Sequence, residues 1–259
     1  MNLLIVTQKV NKDDPILGFF HRWIVEFAKN CSSVIVICLE EGPHELPANV
    51  RVLSLGKRKD GKTERWKDYL GKFKYMARFY SYIIREHKNY DAIFVHMNPI
   101  YVIFGGLIWK ILGKKISLWY THKNIDLKLR IATVLADKIF TASKESFRLK
   151  SEKVQVVGHG IDVDVFSPEF DGSQHVGDIV SVGRISRTKN QLAMIQGLAE
   201  ALSNGYTGTL HIVGGPVTPE DEAYENELKT HVQSRGLGKS VIFTGPVAPD
   251  QAIPFLQTA

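Results

Sequence analysis

The sequence predicts an α/β protein built from two parallel-sheet units, and three observations lead to this fold class. Short apolar runs alternate with longer helical patterns along the whole chain. Several of the short runs, such as "SVIVICL" and "AIFVH", are almost continuously apolar, as in strands that helices cover on both faces. A polar, glycine-containing stretch at residues 170–177 interrupts the alternation, which then restarts. We therefore expect an open parallel sheet on each side of this linker.

The first unit is predicted to span residues 1–172 and the second residues 177–259. Strands are expected where the runs are short and apolar: Leu3–Thr7, Ser33–Leu39, Val50–Leu55, Ala92–His96, Lys115–Tyr120, Lys138–Thr141, Val154–Val157, Ile179–Val182, Thr209–Val213 and Val241–Phe243. Helices are expected where apolar residues recur at the helical period: Leu17–Lys29, Arg65–Lys88, Ile100–Leu112, Leu127–Leu135, Gln191–Ser203, Asp221–Ser234 and a helix beginning within Pro249–Leu256. The second unit thus shows about three strands, so we expect it to be incomplete.

Composition excludes several classes of protein. The chain is 44% hydrophobic and 23% charged, as in an ordinary globular protein. No apolar run reaches the roughly 18 to 20 residues of a membrane span, and the opening "MNLLIVTQK" reads as a strand rather than a signal peptide. Cys31 and Cys38 form neither a disulfide framework nor a metal-ligand pattern. We therefore expect a cytoplasmic protein without a metal site.

The net charge of +6 is unevenly distributed. Residues 1–175 hold 27 Lys and Arg against 19 Asp and Glu, whereas residues 176–259 hold 6 against 8. A basic first part indicates an anionic partner, such as a membrane surface or a phosphorylated substrate. Because no nucleic-acid recognition motif accompanies the charge, we do not expect a nucleic-acid partner.

The stretch "DIVSVGRISRTKNQ" places two cations between a strand and a helix. Arg184 and Lys189 follow Gly183, at the carboxyl end of a predicted strand, where parallel sheets bind ligands and helix N-termini point. An arginine fork and a mobile lysine charge together suit a diphosphate, above all one that gains charge as it leaves in a reaction. A solvated basic loop is the alternative interpretation.

The next two strands also end in glycine-containing loops. "HIVGGP" places Gly214 and Gly215 at the end of one strand, and "VIFTGPV" places Thr244 and Gly245 at the end of the next. Each loop alone is typical of an ordinary turn. Three such loops at one sheet edge instead predict a cleft lined by backbone, which suits a nucleotide.

These three motifs together resemble the donor domain of GT-B glycosyltransferases, in the large retaining group 1 family. Upstream, "LWYTH", "ADKIFTASKESFR" and "VVGHGIDVDVFSP" resemble the end of that family's acceptor domain. The resemblance implies two Rossmann-like domains that face each other across a cleft, with the second domain truncated here. It also implies a nucleotide-sugar donor, a glycan or lipid-linked acceptor, retention of the anomeric configuration, and no cofactor or metal.

The resemblance assigns roles to the residues already singled out in the second unit. Arg184 and Lys189 would neutralise the donor diphosphate and the leaving nucleotide. The remaining residues of the three loops would line the nucleotide site: Gly183, Gly214, Gly215, Thr244 and Gly245.

In the first unit the resemblance places His122 beside the transferred sugar, although a histidine at a strand end is more often a surface or capping residue. His96 is a weaker candidate on the same edge. Ser143 and Glu145 would contact the cleft, unless Ser143 only caps a helix.

The sequence departs from the family's pattern at three places. The loop after the first strand has only Gly18 where the family has two glycines, and His159 stands where the family has Asn, so only Gly160 is carried over there. The family's pair of donor-contacting glutamates is also missing, since no Glu follows Glu227. We therefore expect this chain to be a fragment with impaired activity.

A basic, aromatic helix at residues 65–88 has two interpretations. One apolar stripe recurs at helical spacing: Trp66, Tyr69, Phe73, Met76, Tyr80 and Ile84. The stripe is either buried in the core, with a solvated basic face, or it lies on anionic lipid at the inner face of the plasma membrane.

Two other functions remain as alternatives to a glycosyltransferase. A sugar-nucleotide epimerase of the same fold would need acidic and histidine groups in the cleft, where the sequence shows cations and glycines. A non-catalytic nucleotide-sugar binder would fit the missing glutamates.

Overall fold

The computed structural model describes residues 1–14, 16–57, 65–160, 163, 178–247 and 249–257. The chain divides into two compact units, Met1–Gly160 and Ile161–Ala259. The linker predicted at residues 170–177 lies outside the described residues, so the predicted boundary there stays a prediction.

The described residues of the first unit form a seven-stranded parallel sheet with four helices. In chain order its elements are β1 (Asn2–Val10), α1 (Phe19–Asn30), β2 (Ser33–Glu41), β3 (Val50–Ser54), α2 (Arg65–Arg85), β4 (Ala92–His96), α3 (Pro99–Ile111), β5 (Lys115–Trp119), α4 (Leu127–Leu135), β6 (Lys138–Thr141) and β7 (Val154–Val156). The strands lie in the order β3-β2-β1-β4-β5-β6-β7. The chain adds β2 and β3 on one side of β1 and then returns to add β4 to β7 on the other side, with all strands parallel. Every strand and helix predicted for this unit is present.

Helices cover both faces of the first sheet, which explains the continuously apolar strands. Leu4 and Val6 of β1 belong to the buried cluster that includes side chains from α2, α3 and α4. Their neighbours Leu3 and Ile5 belong to a second cluster, which includes the buried residues of α1. Because successive side chains of a strand point to opposite faces, both sets are needed to bury the sheet.

The buried side of α2 differs from the predicted stripe. Phe79 and Ile83 are buried, whereas Phe73 and Ile84 are 67% and 55% exposed. The side chains of Trp66 and Tyr69 lie outside the described part of the helix. The prediction of a helix was correct, but burial of the whole predicted stripe was wrong for Phe73 and Ile84, because both faces of the helix carry large apolar residues. The alternative, contact of this stripe with lipid, stays a prediction.

The described part of the second unit has three parallel strands in the order β10-β9-β8. Its elements are β8 (Ile179–Val182), a 3₁₀ turn (Arg187–Lys189), α5 (Gln191–Ser203), β9 (Leu210–Val213), α6 (Pro219–Ser234), β10 (Val241–Gly245), a second 3₁₀ turn (Pro249–Ala252) and α7 (Ile253–Gln257). Its core joins Ile185, Ile195 and Leu198 to Leu210, Ile212 and side chains of α6. The fold class is therefore α/β with two parallel sheets, as predicted.

Helix α6 begins two residues before its predicted start. Thr218 forms a capping box with Asp221, and Pro219 occupies the first helical turn. Among the described residues, none of the helices has the length and apolar character needed to cross a membrane.

Candidate functional site

The carboxyl ends of β8, β9 and β10 lie at one edge of the second sheet, because the strands are parallel. Each end carries a glycine with positive φ: 147° at Gly183, 129° at Gly214 and 75° at Gly245. Backbone hydrogen bonds join the loops, since Gly183 N–H donates to the Val213 carbonyl at 2.9 Å and Gly214 N–H donates to the Gly245 carbonyl at 3.1 Å. The structure thus brings the predicted donor-side glycines together.

The glycines of this edge differ in what surrounds them. A Cβ on Gly214 would lie 2.2 Å from the carbonyl oxygen of Gly183, and one on Gly215 would lie 2.8 Å from Cγ of Pro246. Around a Cβ built on Gly183 or Gly245, by contrast, no atom lies within 4 Å. Gly214 and Gly215 therefore allow the loops to pack, while Gly183 and Gly245 leave open space in which a ligand can approach the backbone.

Arg184 projects from this edge with its side chain 43% exposed, and its Nε lies 3.8 Å from Oδ2 of Asp221. The Asp221 carboxylate also accepts a hydrogen bond from Thr218 N–H at 3.3 Å within the capping box. The ion pair between Arg184 and Asp221 is therefore long, and the same carboxylate oxygen is also bonded to Thr218 N–H. Most guanidinium donors of Arg184 remain available to an anionic ligand.

Gln191, the first residue of α5, fixes the backbone that carries Arg184. Its side chain is 2% exposed. Its Nε2 donates to the Arg184 carbonyl at 3.0 Å, and its Oε1 accepts from Ser186 N–H at 3.4 Å. Sequence reasoning missed both Gln191 and Asp221. The only signal was their position at helix starts, which does not reveal burial or contact with a loop.

Lys189 and Arg187 have different environments although both lie in the same 3₁₀ turn. Arg187 donates to both carboxylate oxygens of Glu227 at 2.7 Å and lies over the ring of Tyr224 at 4.9 Å. Lys189 is exposed, and Asn190 after it adopts the left-handed conformation that starts α5. Arg187 is therefore paired closely with a carboxylate although its side chain is 69% exposed, whereas Arg184 has only the longer contact with Asp221.

Two backbone N–H groups in the first turn of α5 already have hydrogen-bond partners within the protein. Leu192 N–H donates to the Tyr224 hydroxyl at 3.2 Å, and Ala193 N–H donates to the Asn190 carbonyl at 3.1 Å. These two N–H groups of the first turn already have partners, so they are not free to bind a ligand. We therefore expect an anion at this edge to contact mainly the side chains of Arg184 and Lys189.

Thr244 lies at the same edge, but its hydroxyl contacts backbone. Its Oγ1 lies 3.0 Å from the carbonyl oxygen of Gly245 and 3.4 Å from that of Ile212. The hydroxyl proton is therefore committed to a carbonyl, and the oxygen remains free to accept a hydrogen bond.

His122 and Ser143 lie at the carboxyl edge of the first sheet. His122 is exposed, and its Nδ1 accepts from Asn124 N–H at 3.2 Å, which leaves Nε2 outward. The Ser143 hydroxyl lies 3.0 Å from the Ser146 hydroxyl and accepts from Ser146 N–H at 3.2 Å. This geometry agrees with the capping interpretation of Ser143, although it caps a turn rather than a helix. The pKa of Glu145 lies below its usual range because a backbone N–H and the Ser143 hydroxyl hydrogen-bond its carboxylate.

His96 is a core residue. It is 1% exposed, its ring stacks on Phe20 with 3.8 Å between centroids, and its Nδ1 lies 3.2 Å from Oγ1 of Thr7. Its Nε2 is buried without a hydrogen-bond partner among the described residues. Burial lowers its pKa to about 4, so the ring is neutral at physiological pH.

We predict that this histidine makes the first unit sensitive to mild acid. Its folded pKa of about 4 lies below the ordinary 6.5, so the unfolded chain binds the proton first and stability falls as pH drops below 6.5. Between pH 6.5 and pH 5 the loss should be about 2 kcal/mol. Urea unfolding followed by tryptophan fluorescence measures it. A His96→Gln variant should show a shallower pH dependence, and identical profiles for the two proteins would contradict the assignment.

Gly18 and Gly160 differ in how closely other atoms surround them. A Cβ on Gly18 would lie 2.5 Å from the Asp14 carbonyl oxygen and 2.8 Å from that of Lys12, so this glycine allows a tight turn before α1. A Cβ on Gly160 would have no atom within 4 Å. His159 beside it packs edge-on against Trp119 with 6.2 Å between ring centroids.

Comparison with known proteins gave one family match, and it lies in the second unit. Residues 171–259 match the family described as "Glycosyl transferases group 1". The comparison with curated proteins gave no match.

The whole chain is similar in fold to solved structures. One is HepE of Anabaena in complex with UDP, at 19% identity and a TM-score of 0.70, covering 97% of this chain and 71% of that one. Sucrose-phosphate synthase from Thermosynechococcus elongatus has 17% identity and a TM-score of 0.71, covering 100% and 74%. The UDP-GlcNAc 2-epimerase of Methanocaldococcus jannaschii has 12% identity and a TM-score of 0.55, covering 98% and 75%. The chain therefore has the GT-B fold, and its residues 171–259 match the family model of the group 1 glycosyl transferases.

Proposed function

We propose that this protein transfers a sugar from a nucleotide-sugar donor to a glycan or lipid-linked acceptor, with retention of the anomeric configuration. One observation carries the proposal: three glycine-containing loops meet at one sheet edge, beside two accessible cations. The similar structures of HepE with UDP and with UDP-glucose support a nucleotide sugar as the ligand of this fold.

Arg184 and Lys189 would act on the leaving group. When the bond between the sugar and the diphosphate breaks, negative charge grows on the diphosphate. Two cations held at the same edge stabilise that charge more in the transition state than in the ground state. Because side chains supply this charge, we propose that the reaction needs no divalent metal. His122 would contact the transferred sugar from the first unit.

A transfer assay tests the proposed function. The protein is incubated with radiolabelled UDP- and GDP-sugars and with a lipid extract as acceptor, and with EDTA in a parallel reaction. We expect label in the lipid or glycan fraction, with and without EDTA, and the same anomeric configuration in donor and product. Release of the 2-epimer without transfer would instead indicate an epimerase. Tight nucleotide-sugar binding without any product would indicate a non-catalytic binder.

The epimerase is the second candidate because one neighbour in fold has that activity. At the described edge of the second sheet, Arg184 and Lys189 supply accessible cations, which favour transfer. Asp221 is engaged in the capping box, and Glu220 and Glu222 beside it are exposed in the first turn of α6. Proton transfer at a sugar carbon requires a positioned acid and base.

The described part of the second unit holds three strands, and the chain covers 71% of the HepE chain.

A further inference from the structure

Helix α4 carries apolar side chains on its outer face. Leu127, Ile131 and Val134 are 71%, 40% and 71% exposed. They lie at positions i, i+4 and i+7, so they form one stripe. The opposite face of the helix, which includes Leu129 and Ala132, is buried in the core. The exposed apolar stripe is therefore not part of the face with which α4 packs against the core.

Helix α3 continues this apolar surface. Leu107 and Ile111 are 64% and 85% exposed, although Val102 and Trp109 on the other side are buried. The two helices are close neighbours, because a Cβ on Gly106 would lie 3.1 Å from Cδ1 of Leu135. We use the term α3–α4 face for the five exposed apolar side chains together: Leu107, Ile111, Leu127, Ile131 and Val134.

The charge around the α3–α4 face has one predominant sign. Residues 99–135 contain six Lys and Arg but only one acidic residue, Asp126. Asp126 is the N-cap of α4 and accepts a hydrogen bond from Leu129 N–H at 2.8 Å. Lys110, Lys128 and Arg130 are exposed on the same two helices. An apolar surface with cations beside it is complementary to a surface with anionic headgroups over an apolar interior.

We infer that the α3–α4 face binds the surface of an anionic lipid bilayer, with the five apolar side chains at the headgroup level and the three cations on lipid phosphates. The proposal relies on the proposed function only for the expectation that the acceptor is lipid-linked. It differs from the sequence-based hypothesis, which placed the lipid contact on α2. The α3–α4 face combines five exposed apolar residues with a nearly uniform positive charge.

Vesicle flotation without any donor tests this inference. The 259-residue chain is mixed with vesicles of phosphatidylcholine alone or of phosphatidylcholine with phosphatidylglycerol. We expect binding to the anionic vesicles only, and weaker binding as salt rises. The triple variant K110E/K128E/R130E should bind about a hundredfold more weakly. The pair L107S/I111S should lose at least about tenfold.

A matched control uses exposed apolar residues of another helix. Phe73 and Ile84 of α2 are exposed to a similar degree, so the pair F73S/I84S should retain vesicle binding. The proposal would be overturned if F73S/I84S lost vesicle binding while L107S/I111S retained it. It would also be overturned if the protein formed a concentration-dependent dimer without lipid and L107S/I111S abolished that dimer. Unchanged tryptophan-monitored unfolding excludes misfolding of the variants. Unchanged UDP binding by the same variants would separate this surface from the nucleotide site.

Discussion

Replacing both Arg184 and Lys189 with alanine is expected to weaken binding of UDP or GDP by about a hundredfold to ten-thousandfold, since each charged hydrogen bond contributes about 1.5 to 3 kcal/mol. Both cations project from the segment between β8 and α5, and the backbone N–H groups of Leu192 and Ala193 in the first turn of α5 already have partners. Isothermal titration calorimetry with each nucleoside diphosphate measures the change. Arg184→Lys should recover part of the affinity, because it restores the charge without the planar fork.

Arg187→Ala is the matched control for this experiment. Arg187 lies between the two cations in sequence, but it is bonded to both oxygens of Glu227. Its removal should leave nucleoside diphosphate affinity nearly unchanged. An equal loss in R187A and in the double variant would show that net charge, rather than the position of Arg184 and Lys189, governs binding. An unchanged affinity in the double variant would remove the diphosphate site from this edge.

Gly214→Ala is expected to destabilise the second unit by about 3 kcal/mol or more, because a side chain at positive φ costs about 1 to 3 kcal/mol and the steric overlap adds to this. The added Cβ would lie 2.2 Å from a backbone carbonyl oxygen of Gly183. Neither the strand end nor the loop can shift without breaking the hydrogen bonds that join the three loops.

Hydrogen exchange of β8, β9 and β10 is the appropriate measurement for this variant. All four tryptophans of the chain, at positions 23, 66, 109 and 119, lie in the first unit, so their fluorescence does not report the second. Gly197→Ala in α5 is the control. A Cβ there has no atom within 4 Å, and alanine should stabilise the helix by about 0.5 to 1 kcal/mol. Equal protection of the three strands in G214A and in the unaltered chain would contradict the packing argument.

The fold could be predicted from sequence because burial on both faces leaves a simple signal. A run such as "AIFVH" at β4 is apolar at nearly every position, so it predicts a strand in the middle of a sheet that is covered on both faces. Helix α2 shows where this reasoning fails. Its sequence carries large apolar residues on two faces, and only the packing of Phe79 against Tyr101 and Trp109 decides which face is buried.

The part of the candidate site that consists of glycines at strand ends could be predicted from the sequence. Gly183, Gly214 and Gly245 follow strands, and the parallel topology brings them together. The contacts of Arg184 with Asp221 and Gln191 depend on how α5 and α6 pack on the sheet, which no local pattern contains. His96 was assigned to the edge by its position, but Phe20 of α1 covers it.

The central claim is that the edge formed by β8, β9 and β10 holds a diphosphate between Arg184 and Lys189. A crystal structure of the protein with UDP tests it most directly. We expect phosphate oxygens within hydrogen-bond distance of the Arg184 guanidinium and the Lys189 ammonium, with Gly183 and Gly245 beside the nucleotide. A diphosphate bound elsewhere, with both cations left in solvent, would contradict the account.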